Sequence, residues 1–113
     1  MFADIVGYTS MMQRSEADAM VSRDRFREVL IDLVQNHHGT VVQHYGDGTL
    51  AIFPSAVEAT TCALGVQRSM TTEPQVPLRI GLHVGDIVQD HEGVYGDAVN
   101  LAARVQRTVT ITP

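Results

Sequence analysis

Residues 40–53 read TVVQHYGDGTLAIF, and this stretch is the most informative part of the chain about its fold. Two runs of β-forming residues flank Gly46-Asp47-Gly48, which is a typical tight-turn sequence. The stretch therefore predicts a β-hairpin with Asp47 at its tip.

Helical periodicity flanks the hairpin on both sides. The preceding helix is predicted to start at Ser15 and to stop at Asn36-His37-His38-Gly39, with Gly39 in the left-handed closing position. Its apolar positions are Phe26, Val29, Leu30, Leu33 and Val34. Pro54-Ser55 opens the following helix, whose apolar stripe is Ala59, Cys62, Ala63, Val66 and Met70. Both stripes predict helices that pack on one face.

Strands are predicted at both ends of this unit. Residues 1–6 form an apolar run that Gly7-Tyr8-Thr9-Ser10 breaks, and residues 78–84 alternate with a period of two. Beyond them we expect an extension at 87–88, a polar loop at 90–96, a helix at 97–106 and a strand at 109–112. The order βα-ββ-α-β-α-β indicates an α+β domain, with helices packed on a mainly antiparallel sheet.

Composition restricts the function classes. The chain has 113 residues, 44% of them apolar and 19% charged, which is typical of one globular domain. Its net charge is −5 and its eight basic residues are scattered arginines, which argues against a nucleic-acid surface. The single cysteine, Cys62, suits a reducing compartment, and no apolar run is long enough to span a membrane. We therefore expect a cytoplasmic domain without a membrane segment.

Asp4 and Asp47 are candidate metal ligands. A carboxylate within an apolar strand is costly unless it is paired or binds a metal ion. The end of the first strand and the hairpin tip are adjacent in a split βαβ sheet, so the two carboxylates are expected to face each other. Hard oxygen ligands of this kind suit Mg²⁺ or Mn²⁺ with substrate phosphates. Each aspartate also has a structural interpretation, Asp4 as a cap of the next turn and Asp47 as an ordinary turn residue.

Two further features could serve a nucleotide. The backbone N–H groups of Gly7-Tyr8-Thr9-Ser10 lead into a helix and offer a triphosphate cradle. Asn100 and Arg104 lie four residues apart and share a helix face, where they suit a ribose and a developing phosphoryl charge. A solvated helix face is the structural alternative for this pair. Arg79 and His83 project from the same face of a strand, and a simple orientation to solvent is the structural interpretation of both.

Four segments together resemble the class III adenylate/guanylate cyclase family, in the style of its bacterial members. They are FADIVGYT at 2–9, YGDG at 45–48 with LAIF at 50–53, LRIGLHVG at 78–85, and VYGDAVNLAAR at 94–104. The segments occur in the family's order and span nearly the whole chain. The resemblance implies that residues 1–113 are a cyclase catalytic domain with a ferredoxin-like core, which continues beyond this C-terminus.

The resemblance also implies an activity and an assembly. Such domains form head-to-tail homodimers and convert a nucleoside triphosphate, here ATP or else GTP, to a 3′,5′-cyclic nucleotide and pyrophosphate. Each site at the dimer interface holds two Mg²⁺ or Mn²⁺ ions, and the domains are usually fused to regulatory modules.

Site residues follow from the matching positions. Asp4 and Asp47 match the metal-binding aspartates, and Ile5 matches a position whose backbone contacts the metal. Asn100 and Arg104 match the pair that acts on the ribose and the transition state from the opposite protomer. The positions that match the triphosphate-binding turn are Val6, Gly7, Tyr8 and Thr9.

The base-selecting positions depart from the family pattern. Gln43 stands where the family has a lysine or glutamate, and Gly93 where adenylate cyclases usually have an aspartate. Because an amide both donates and accepts, base discrimination is expected to be weak, with ATP the leading substrate. These departures leave an alternative, an inactive cyclase-homology domain that binds a nucleotide or a partner protein. A diguanylate-cyclase relative would carry a second acidic residue after the turn, which Gly48-Thr49 do not supply.

Overall fold

The computed structural model describes residues 1–84 together with strands 88–90 and 93–95. In chain order its elements are β1 (Phe2–Ile5), α1 (Tyr8–Arg14), α2 (Glu16–Asn36), β2 (Thr40–Tyr45), β3 (Gly48–Ile52), α3 (Ala56–Met70), β4 (Leu78–Gly81), β5 (Val88–Asp90) and β6 (Gly93–Tyr95). The predicted helix at 97–106 and the predicted strand at 109–112 lie outside the described residues.

Strands β1 to β4 form one antiparallel sheet. Their order is β2-β3-β1-β4, and every neighbouring pair is antiparallel. Helices α1 and α2 connect β1 to β2, and α3 connects β3 to β4. This strand order in a β-α-β-β-α-β unit is the ferredoxin-like arrangement, so the predicted α+β class and split βαβ core are confirmed.

The core lies between this sheet and the two longer helices. Along β1, Ala3 and Ile5 are buried, while Phe2 and Asp4 on the alternate face are half-buried. The two helices contribute the apolar side chains predicted from their stripes; those fully enclosed are Phe26, Leu30, Val34, Cys62, Ala63, Val66 and Met70. One face of the sheet is therefore covered by helices, and the other carries the polar residues of the candidate site.

The helix starts were only partly predicted. Ser15 caps α2, with its hydroxyl accepting from the Asp18 N–H at 3.3 Å, and Ser55 caps α3 in the same way. Residues 8–14, however, already form α1 and follow directly after Gly7. The segment 7–10 is thus a helix start as well as a strand break. In the described part of the chain no helix has both the length and the apolar character needed to cross a membrane.

The last segments differ from the sequence prediction. Strand β4 ends at Gly81, three residues earlier than expected. The polar segment predicted as a loop at 90–96 contains strand residues, because Asp90 pairs with Gly93 and Val88 with Tyr95 in a short antiparallel ribbon. Backbone pairing between two three-residue strands leaves too little periodicity for the sequence to reveal.

The end of α2 corrects the prediction for Gly39. His38, with φ of 62°, takes the left-handed position. Gly39 is needed for a different reason, since an added Cβ would lie 2.6 Å from the ring of Phe53. The missing side chain allows the loop to pass beneath that ring as it enters β2.

Gly39→Ala is therefore expected to lower the free energy of unfolding by about 1–3 kcal/mol through overpacking. Gly65→Ala is the matched control, because its added Cβ would lie 3.6 Å from Leu33, an ordinary contact, within α3. That change should instead raise stability by about 0.5–1 kcal/mol. Urea unfolding followed by circular dichroism measures both. Equal stabilities for the two variants would contradict the steric role of Gly39.

Candidate functional site

The β2–β3 hairpin places Asp47 beside the end of β1. Strand β3 runs antiparallel to β1, with Phe2 opposite Leu50 and Ala3 opposite Thr49, so the turn before β3 lies next to the end of β1. There the Ile5 N–H donates to Asp47 Oδ2 at 2.9 Å, across 42 residues of sequence. This bond takes one lone pair of the Asp47 carboxylate and orients the group at the edge that also carries Asp4.

Two polar contacts stabilise the hairpin tip, one from α2 and one between the two strands of the hairpin. Gly46 has φ of +59°, a left-handed conformation that favours glycine, and its carbonyl accepts from Arg27 Nη2 of α2 at 2.6 Å. On the strands, His44 Nδ1 lies 2.8 Å from the Thr49 hydroxyl. Burial lowers the pKa of His44, and the charge of Arg27 lowers it further. Arg27 thus fixes the turn next to Asp47, a function that its position on a helix did not reveal in sequence.

Asp4 forms a bidentate ion pair with Arg79. In the β1–β4 register the two residues are direct partners, and Arg79 Nε and Nη2 donate to Asp4 Oδ1 and Oδ2 at 3.2 and 3.1 Å. The Asp4 side chain is 19% exposed and that of Arg79 39%. Hydrogen bonding to Asp4 and the charge of Asp4 raise the pKa of Arg79, and the charge of Asp47 adds to this. Both carboxylates therefore lie within the field of one guanidinium.

The structure gives Arg79 a partner that a simple orientation to solvent did not include. Arg79 faces Asp4 because cross-strand partners in an antiparallel pair share one face of the sheet. His83 is exposed but lies beyond the end of β4, so the two residues do not share a strand. The alternation of polar and apolar residues in 78–81 identified the face of Arg79. That Asp4 is its partner could be seen only from the register of β1 and β4.

The segment after Asp4 forms the start of α1. Gly7 precedes the helix with φ of 72°, and without a side chain it supplies no capping bond to the first turn. The first N–H groups of a helix have no intrahelical acceptor, so those of Tyr8 and Thr9 are available to an anion by geometry. The Val6 N–H differs, since it donates to the Pro77 carbonyl at 2.9 Å, while its side chain is 43% exposed.

The two positions expected to select the base lie on different strands of the described structure. Gln43 is exposed on β2, where its Oε1 accepts from the Tyr45 hydroxyl at 3.2 Å. It shares the sheet face of Asp4, because Gln43 pairs with Leu50 and Leu50 with Phe2. Gly93 begins β6 and pairs with Asp90. Asn100 and Arg104 lie outside the described residues.

The donor set at this edge fits a hard divalent cation. Asp4 and Asp47 offer carboxylate oxygens, and the Ile5 N–H bond to Asp47 brings the backbone that follows Asp4 to the same carboxylate. Within residues 1–84 and the two short strands, no group of three histidine, cysteine or acidic side chains is placed to hold a metal ion. Mg²⁺ is commonly bound by one or two carboxylates together with substrate phosphates, so two aspartates are a suitable number.

Comparison with known proteins shows the family of the chain. The family model of the adenylate and guanylate cyclase catalytic domain matches residues 1–111. A candidate adenylate cyclase of Rhizobium meliloti is 38% identical over 112 residues, 92% of this chain and 19% of the relative. An adenylate cyclase of Streptomyces coelicolor is 32% identical over 106 residues, 92% of this chain and 28% of the relative. The chain thus spans less than a third of these two curated relatives.

Solved structures agree with the sequence comparison. The adenylate/guanylate cyclase/hydrolase from Silicibacter pomeroyi superposes with a TM-score of 0.81 at 36% identity, covering 93% of this chain and 66% of that one. A Trypanosoma brucei adenylate cyclase structure superposes with a TM-score of 0.84 at 18% identity, covering 98% and 68%, and shows a shared fold. Because the family model matches nearly the full length of the chain, the chain belongs to the adenylate and guanylate cyclase catalytic domain family.

Proposed function

We propose that this chain is the catalytic domain of a metal-dependent nucleotidyl cyclase that converts ATP, or else GTP, to the 3′,5′-cyclic nucleotide and pyrophosphate. The observation that carries the proposal is the hydrogen bond from Ile5 N–H to Asp47, which holds the hairpin carboxylate at the strand end that carries Asp4. The reaction joins the ribose 3′-oxygen to the α-phosphorus, breaks the bond to pyrophosphate and releases the 3′-hydroxyl proton.

The chain's own groups divide this work. Asp4, Asp47 and the Ile5 carbonyl would hold two Mg²⁺ or Mn²⁺ ions, which would supply charge stabilisation at the phosphates and at the attacking hydroxyl. Val6, Gly7, Tyr8 and Thr9 bind the triphosphate, with N–H donors at the start of α1. Arg27 holds the hairpin tip through the Gly46 carbonyl, which limits the movement of the neighbouring Asp47.

The remaining groups come from a second copy of the chain. Asn100 would orient the ribose and Arg104 would neutralise charge at the α-phosphate, both from the opposite protomer of a head-to-tail homodimer. This assignment rests on the family resemblance of residues 94–104. Fusion to regulatory domains is part of the same proposal, and it agrees with the small share of the curated relatives that the chain covers.

The base is read by Gln43 and Gly93 in this proposal. The Tyr45 hydroxyl donates to the Gln43 amide oxygen, which turns the amide NH₂ group outward as a donor. A donor suits adenine N1, whereas guanine also needs an acceptor for its N1–H. ATP is therefore the preferred substrate, with incomplete rejection of GTP because the amide oxygen keeps a second lone pair.

The test is cyclic nucleotide formation by the full-length protein with Mn²⁺, offering ATP and GTP in separate reactions. We expect product from both, with more from ATP. A folded, dimeric protein that yields no cyclic product from either substrate would exclude the proposed activity.

Gln43→Lys combined with Gly93→Asp should sharpen the preference for ATP. Lysine keeps the donor and removes the acceptor, so the ratio of kcat/KM for ATP to that for GTP should rise about tenfold, the scale of one lost hydrogen bond. Tyr45→Phe is the matched control for orientation, because it removes only the bond to the amide and should lower this ratio. An unchanged ratio in the double variant would mean that the base is read elsewhere.

A further inference from the structure

The ion pair between Asp4 and Arg79 uses both oxygens of a proposed metal ligand. Arg79 Nε and Nη2 each contact a different oxygen of the carboxylate, at 3.2 and 3.1 Å. A guanidinium fork matches a carboxylate in this bidentate way, which a lysine ammonium does not reproduce. A cation that binds Asp4 must therefore approach a carboxylate whose two oxygens already contact a guanidinium, and the positive charge of Arg79 repels it unless the ion pair opens.

Loss of the Arg79 contact is costly for Asp4, because Asp4 is partly buried. Asp4 is only 19% exposed, and a half-buried carboxylate without a partner is costly. Arginine remains charged, so it neutralises Asp4 whenever no other cation does. The backbone holds the two residues opposite each other, since Ala3 pairs with Ile80 and Ile5 with Leu78 on either side. The sheet register therefore keeps Arg79 next to Asp4, so that the ion pair is a fixed feature of the candidate site.

We propose that Arg79 is an internal competitor for the Asp4 metal position, holding the carboxylate oriented and neutral until a divalent cation displaces the guanidinium. This inference rests on the proposed metal role of Asp4 and Asp47. In this scheme Arg79 is a positioning residue that acts through Asp4, and it weakens metal binding in the absence of nucleotide.

Mn²⁺ binding to the full-length protein without nucleotide tests the competition, with free Mn²⁺ measured by electron paramagnetic resonance. Arg79→Gln should bind Mn²⁺ about fivefold more tightly than the wild type, the upper range for a partly exposed ion pair. Arg79→Lys keeps the charge and loses the fork, so its affinity should lie between the two. Should Arg79→Gln fail to fold, Arg79→Lys alone carries the test, and wild-type affinity in it would overturn the proposal.

Two controls distinguish competition at Asp4 from a general effect of net charge on Mn²⁺ affinity. Arg23→Gln makes the same change of charge on α2, at a side chain whose ionic contact is the neighbouring Asp24, and should leave Mn²⁺ affinity unchanged. Asp4→Asn should remove the effect, so that Asp4→Asn with Arg79→Gln binds no more tightly than Asp4→Asn alone. Equal tightening by Arg23→Gln, or tightening that persists without Asp4, would overturn the proposal.

Thermal unfolding supplies a second readout. Without metal, Arg79→Gln should have a lower Tm than the wild type, because Asp4 loses its partner. Saturating Mn²⁺ should raise the Tm of this variant more than that of the wild type, as tighter binding to the folded state requires.

Asp47→Asn distinguishes failure of this inference from failure of the proposed function. If Asp47→Asn loses Mn²⁺ binding while Arg79→Gln binds like the wild type, the metal site stands and the competition is overturned. If Asp47→Asn binds Mn²⁺ as the wild type does, the metal assignment fails, and the competition fails with it.

Discussion

Asp47→Asn is expected to abolish cyclic nucleotide formation while leaving the fold intact. The amide oxygen of asparagine still accepts from the Ile5 N–H, so the link between the hairpin and β1 survives. What is lost is the negative charge that holds a divalent cation. Charge stabilisation by a metal ion is worth several kcal/mol, so the rate should fall by at least about a thousandfold.

The measurement is product formation with Mn²⁺ and ATP over a range of metal concentrations. Asp32→Asn is the matched control, because Asp32 is an exposed aspartate on α2 and its loss changes the net charge equally. The control should retain wild-type activity. Activity in Asp47→Asn within a few-fold of the wild type, at any Mn²⁺ concentration, would remove Asp47 from the metal site.

Mixing Asp47→Asn chains with Arg104→Ala chains is expected to restore activity that neither variant has alone. If each site takes Asp47 from one protomer and Arg104 from the other, a heterodimer contains one intact site and one doubly altered site. Random pairing at equal amounts makes half of the dimers heterodimers, so about a quarter of wild-type activity should return.

A mixture of Asp47→Asn with Asp4→Asn chains is the control for this experiment. Both changes affect the same half of the site, so every site in that heterodimer carries one lesion and no activity should return. Differently tagged chains that purify together establish that heterodimers form. Absence of rescue in proven heterodimers, or equal rescue in the control mixture, would contradict a site shared between protomers.

Local patterns predicted much of the fold. Serine caps at Ser15 and Ser55, helical stripes around Phe26 and Val66 and the turn at Asp47 each depend on residues close in sequence. Errors arose where the deciding interaction was distant. His38 rather than Gly39 adopts the left-handed conformation, and Gly39 instead lies close to the Phe53 ring, 14 residues further along the chain. The helix at 8–14 followed a strand break so closely that the sequence pattern hid its start.

The candidate site was likewise predicted in part, with its residues found from local sequence and their contacts seen only in the structure. The sequence patterns were enough to place Asp4 near the end of a buried strand and Asp47 at a hairpin tip, and to identify the family that these motifs resemble. Three contacts became visible only in the folded chain: the Ile5 N–H donates to Asp47, Arg27 contacts the turn, and Arg79 pairs with Asp4. These contacts join residues 42, 19 and 75 positions apart. Such pairs depend on strand order and register, which follow from the burial of a whole sheet face. Neither residue of a pair therefore shows in its local sequence which partner it will contact.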